Sequence, residues 1–204
     1  MNDFDDALRQ AARSLPRRPP AALGTKVAER AAANGLLDVA YTTVDSPLGP
    51  LVVAATPRGL VRVAYTEAVP QEDVLEELAA RISPRLLEAP GRFDEPRREL
   101  DDYFAGRRRG FDLPIDWSTL RGFTRKVLQA TARIDFGELR SYSEVASEAG
   151  SPRAVRAAGN ALGANPMPVV VPCHRVVRTG GALGGYTGGV ERKEFLLRLE
   201  GSLL

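Results

Sequence analysis

The stretch Val171-Pro172-Cys173-His174-Arg175-Val176-Val177 holds the single cysteine and the single histidine of a 204-residue chain, side by side. A thiol followed by an imidazole and a guanidinium is a candidate nucleophile, because the thiolate is the reactive form and cationic neighbours favour it. The competing reading is a small buried hydrophobe, a common fate of free cysteine. An aliphatic run over residues 168–171 leads in, and a loop carrying Gly180-Gly181, Gly184-Gly185 and Gly188-Gly189 leads out.

A second stretch could present this chemistry to a partner. Ser141 with Glu144 three residues on makes a capping box for a short helix over 141–149. Gly150-Ser151 turns the chain, and Pro152 suits the first position of a second helix over 152–163. Two short helices joined in this way read as helix-turn-helix or as plain helix packing. The second is smooth: Ala154, Ala157, Ala158, Gly159, Ala161 and Gly163 are small, while Arg153 and Arg156 are long. Such a helix suits a close contact, either within a core or in the narrow minor groove of DNA. Asn165-Pro166 is a turn starter that ends it.

The remaining elements must position these two stretches. Residues 39–44, 51–55 and 60–65 read as three short strands of an antiparallel meander, with Thr56-Pro57-Arg58-Gly59 as a hairpin turn. Residues 71–82 and 94–104 read as helices, the first with Val74, Leu75, Leu78 and Ile82 at helical spacing. Arg107-Arg108-Arg109 reads as a solvated loop or a phosphate contact, and residues 111–117 as an edge strand. A helix over 119–134 and a last helix over 191–200 follow. Before the strands, residues 3–15 and 21–33 have helical composition, the latter ending at Asn34-Gly35, a plausible C-cap.

Composition is that of an ordinary soluble protein, and one cysteine excludes an internal disulfide or a Cys-cluster zinc site. No apolar run is long enough to span a bilayer, and the acidic start is no secretory signal. A free reactive thiol suits a reducing cytoplasm. The net charge of +2 is uneven: residues 117–204 carry 12 Lys/Arg against 7 Asp/Glu, and residues 1–116 carry 16 against 19. The basic C-terminal half suits a polyanion or is ordinary surface charge.

The Pro-Cys-His-Arg-Val core, with an aliphatic residue before the proline, resembles the signature of the O6-alkylguanine-DNA alkyltransferases. The likeness runs from about residue 123 to 201 and, more weakly, back to about residue 41. It implies an α/β (α+β) fold: a ribonuclease-H-like antiparallel domain over 39–117 and a mostly helical winged helix-turn-helix domain over 118–204, with residues 1–38 a helical extension that the likeness does not cover. It implies irreversible transfer of an alkyl group from O6-alkylguanine, less well from O4-alkylthymine, to Cys173 after nucleotide flipping. His174 and Glu200 match the family's relay to the thiol, Tyr142 its proton donor and 3′-phosphate neighbour, and Asn165 its hinge. Arg156 matches the finger that fills the base stack, with Ala154, Ala157, Gly159 and Arg175 on the DNA side. Tyr186, Thr187, Val171 and Val176 match the guanine pocket. Thr187 stands where the family usually has Ser, and Gln129 where it often has Trp. The resemblance further implies double-stranded DNA as partner through the minor groove and a monomer without DNA. No cofactor is expected for a single transfer to sulfur, and the zinc site of some family members is not expected here, with one Cys and one His. The rival readings are a lesion-binding protein without transfer and a thiol hydrolase.

Overall fold

The computed structural model describes residues 26–203 apart from 29 and 32. The expected helix over 3–15 and the start of the next lie outside these residues; the end of the latter is seen at Asn34, whose side-chain amide donates to Arg30 O at 2.7 Å. Strands β1 (Val39–Val44), β2 (Leu51–Thr56) and β3 (Gly59–Tyr65) form the antiparallel meander. A short β4 (Leu86–Glu88) extends it, pairing parallel with β1 after helix α1 (Gln71–Arg81) crosses over. The sheet is therefore mixed rather than wholly antiparallel. Three residues of strand give too short an apolar pattern to stand out in sequence.

Both faces of the sheet are covered, which explains why β2 reads as an unbroken apolar run rather than an alternation. Val52 and Ala54 pack under α1 with Val74 and Leu78. Leu51 and Val53 face the larger core, which holds Phe93, Leu100 and Tyr103 and continues without a break into Val127, Leu128, Val145 and Val171. Leu100 and Tyr103 belong to α2 (Asp94–Phe104), and that stripe is buried. The arginine run after α2 is largely solvent-exposed, as a solvated loop would be, but it is tethered: Arg107 meets Asp102 at 2.6 Å, and Arg108 meets buried Glu99 at 2.5 Å. The expected edge strand over 111–117 reduces to a single bridge, Leu60 to Ile115.

The C-terminal half is mostly helical. Its first helix, α3 (Gly122–Thr131), is shorter than the periodicity suggested. Asp116 caps a separate turn at Trp117–Thr119 through Ser118 N, and Gly122 enters α3 at φ 55°, which a continuous helix cannot pass. Strand β5 (Arg140–Ser141) leads into α4 (Tyr142–Glu148), whose capping box forms in both directions. Pro152 and Arg153 are used by the turn, so α5 (Val155–Gly163) begins three residues later than expected, with Ala154 at its N-cap. Strand β6 (Val176–Val177) pairs parallel with β5, and α6 (Val190–Leu199) closes the fold with Glu200 at its C-cap. Helices α3, α4 and α5 pack on one another, so the helix-turn-helix pair is anchored through α3.

Candidate active site

Cys173, His174 and Arg175 form one turn of 3₁₀ helix after Pro172. At three residues per turn, consecutive side chains leave the axis in three directions. Neighbours in sequence are thereby sent to different partners. Cys173 Sγ accepts from Asn165 Nδ2 at 3.1 Å. His174 Nε2 meets Glu200 Oε1 at 3.0 Å. Arg175 Nε and one terminal nitrogen reach the two Glu200 oxygens at 2.9 and 2.8 Å.

Asn165 organises the approach to the thiol. Its amide nitrogen also donates to Val171 O at 2.9 Å, and its oxygen accepts from Met167 N at 3.0 Å. Between these anchors Val169 sits at φ 74°, a left-handed conformation that costs a β-branched residue on the order of 1–3 kcal/mol. The turn bearing Cys173 is therefore held against local preference, with Asn165 as its clamp.

Glu200 is the most heavily coordinated side chain of the site. Besides His174 and Arg175 it accepts from Tyr103 Oη at 2.6 Å and from Gly137 N at 3.4 Å. Burial alone would raise its pKa, but the bonds from His174 and Arg175 and their charges hold it at about 2. His174 is lowered below its ordinary 6.5, first by burial and then by the nearby Arg175 and Lys193 charges, against the pull of Glu200. A neutral imidazole whose Nε2–H donates to Glu200 leaves Nδ1 as its basic nitrogen. Nδ1 is buried without a protein partner.

The thiol departs from the sequence reading. Burial pushes Cys173 up to about 11, with the Asn165 bond and the Lys193 charge acting the other way. The adjacent guanidinium does not favour the thiolate as expected, because Arg175 turns its fork to Glu200 and donates from its remaining nitrogen to Ile134 O at 2.6 Å. For the same reason Arg175 points inward and is only 5% exposed, against its expected place on the DNA side.

In front of the sulfur lies an open cleft of about 680 Å³, lined by Tyr142, Arg156, Gly159, Cys173, Tyr186 and Thr187. Tyr142 lies beneath Gly184, where any Cβ would come within 2.7 Å of the phenol oxygen. Its pKa is raised, first by burial and then by the sulfur's charge, with Arg178 opposing. Arg156 and Ala157 are exposed on α5, and neither Arg156 nor Arg153 has a carboxylate partner among the described residues. Thr187 donates to Gly163 O at 3.2 Å, tying the glycine-rich loop to the end of α5. Val171 is buried with its carbonyl on Asn165. Val176 is also buried, but it does not line the cleft: it lies in β6, and its carbonyl accepts from Lys193 Nζ at 2.6 Å.

Three residues that the sequence reading passed over support this site. Lys193 is fully buried, donates to Val176 O and Leu183 O, and is lowered by burial to about 8. Its signal was its place at i−3 and i−4 from Leu196 and Leu197, on the buried stripe of α6. Tyr103 and Tyr65 reach Glu200 and Tyr186 across separations of 97 and 121 residues, for which no local pattern exists.

Fold and site together define a two-part α+β protein whose helix-turn-helix borders a cleft ending on a buried cysteine. Family profiles match both parts: the ribonuclease-like domain of 6-O-methylguanine DNA methyltransferase over residues 39–117 and its DNA binding domain over residues 122–202. The chain belongs to the 6-O-methylguanine DNA methyltransferase family. It is 39% identical over 163 residues to the constitutive methylated-DNA–protein-cysteine methyltransferase of Bacillus subtilis, covering 78% of this chain and 94% of that protein. It is 41% identical over 164 residues to the methylated-DNA–protein-cysteine methyltransferase of Mycobacterium tuberculosis, covering 79% of this chain and 92% of that one. Among solved structures, Mycobacterium tuberculosis OGT in complex with DNA superposes with a TM-score of 0.68 at 40% identity, over 80% of this chain and 93% of that chain.

Proposed function

We propose that this protein repairs DNA by moving the alkyl group of O6-alkylguanine onto Cys173, once per molecule, with O4-alkylthymine as a poorer substrate. The observation that carries the reading is the position of Cys173, at the inner end of a cleft bordered by Arg156 and Tyr142, with the His174–Glu200 pair immediately behind it. Helix α5 enters the minor groove, where its small residues allow close approach. Arg156 fills the stack left by the extruded nucleotide, because a base inside a duplex is out of a thiol's reach.

A thiol held at about 11 is almost wholly protonated at neutral pH, so a base must act. His174 Nδ1 takes the proton from Sγ through a water, and Glu200 stabilises the imidazolium. The sulfur attacks the alkyl carbon, the carbon–O6 bond breaks, and its electron pair goes to guanine. Tyr142 donates its proton to N3, and the proton held on His174 restores it. The net change is thiol plus alkylguanine to thioether plus guanine. The chain has no second cysteine to accept the group, so each molecule reacts once.

Incubation with duplex containing O6-methylguanine tests this. One equivalent of guanine restored, with one added methyl on the Cys173 peptide by mass spectrometry, is the expected result. Repeated turnover would point to a hydrolase, and binding without transfer to a lesion marker.

A further inference from the structure

We propose that Tyr65, from strand β3 of the ribonuclease-like half, sets the size of alkyl group the site accepts by pinning Tyr186. It is thus a specificity-determining positioning residue. The inference rests on the alkyl-transfer reading above and deepens it.

Tyr186 stands on a glycine-rich loop that by itself would leave an aromatic ring free to swing. Its hydroxyl lies 2.8 Å from the hydroxyl of Tyr65, and the two rings meet edge-on with centroids 6.4 Å apart. Gly188 lets the rings approach: a Cβ there would come within 2.6 Å of the Tyr65 ring and 3.0 Å of the Tyr186 ring. Tyr65 cannot step aside. It is 3% exposed, and the Arg192 guanidinium lies over its ring at 4.8 Å. Arg192 is itself fixed to Leu48 O at 3.1 Å, Gly188 O at 2.9 Å and Glu67 at 2.6 Å. On another side, His174 meets the Tyr186 ring edge-on at 6.3 Å.

Tyr186 therefore forms a cleft wall beside Cys173 that is braced from the opposite half of the molecule. A group carried on guanine O6 toward the sulfur must fit inside that wall. A methyl does so without displacing it. A bulky group requires Tyr186 to tilt, which parts the two hydroxyls and strands the Tyr65 hydroxyl in the core without a partner, an unfavourable state. Tyr186, facing the cleft, can turn to water instead. Removing the Tyr65 hydroxyl thus removes the penalty for admitting a large group.

The test compares single-turnover rates of wild type and Tyr65→Phe on matched duplexes carrying O6-methylguanine or O6-benzylguanine. The benzyl-to-methyl rate ratio is expected to rise roughly five-fold, the worth of one buried neutral hydrogen bond. Tyr65→Leu, which removes the ring as well, should raise it further. Tyr103→Phe, which removes a bond to Glu200 and not to Tyr186, should slow both substrates alike and leave the ratio where it was. If Tyr65→Phe slows both substrates in equal proportion, or lowers the ratio, Tyr65 is merely structural and the proposal is overturned. If wild type alkylates Cys173 with neither duplex, the transfer reading itself falls and the role of Tyr65 falls with it.

Discussion

At the scale of single residues, burial keeps charge off the sulfur, and in the proposed mechanism a base then removes its proton. His174 can accept only while neutral, so the proposed transfer should fail as pH drops below its lowered pKa, under the ordinary 6.5. Above that point the rate should be level, since the base is available and Cys173 remains protonated up to about 11. A rate rising tenfold per pH unit through neutrality would show that free thiolate, not the His174 relay, is the nucleophile. Glu200→Gln should lower the rate about 100-fold by loosening and weakening that base. It should also destabilise the fold by about 3 kcal/mol, because the Arg175 guanidinium is then buried without its counter-charge. Denaturant melts and single-turnover kinetics measure the two effects separately. The chemistry-bearing residues were legible because Cys173 and His174 are each the single residue of their type and stand side by side in one motif with Arg175. Their directions were not: the 3₁₀ turn that sends Arg175 inward is a backbone property no residue in the motif announces.

At the scale of elements, the helix-turn-helix pair is the part most fully written in local sequence. The Ser141–Glu144 capping box appears as expected, and Ser141→Ala should cost about 1 kcal/mol by thermal melting. The start of α5 was misplaced because proline at a first helical position and proline in a turn look alike until the chain's path is known. Arg156→Ala should weaken repair of duplex substrate while leaving reaction with free alkylated guanine near normal. Equal losses on both would remove it from the proposed finger role. Loss of one cation from the proposed DNA-facing helix should also make the slope of log affinity against log salt shallower, by up to about 1. Strand β4 and the bridge at Ile115 escaped the sequence because their pairing partners are supplied by tertiary context alone.

At the scale of the molecule, the two halves meet at the chemistry. Tyr103 secures Glu200, Tyr65 braces Tyr186, and Arg192 links the last helix to Leu48 and Glu67. These ties could not be read from sequence, since they join residues about a hundred positions apart. Their charge state gives the assembly a pH signature. The pKa of Glu200 is depressed in the folded protein, from 4.5 to about 2, so its contribution to stability is complete above 4.5 and is lost as pH falls toward 2. Asp116, which ties the connecting segment to Thr56 and Arg58, is likewise held at about 2 and adds to the same acid limb. Equilibrium unfolding over this range should show stability falling with acid, and more gently in Glu200→Gln. The buried and protonated sulfur has one more consequence. Under the proposed single transfer, the thiol must survive long idle periods among peroxides and stray electrophiles. Sluggish capture by iodoacetamide would mark Cys173 as a sheathed warhead, preserved for the one encounter that can draw it.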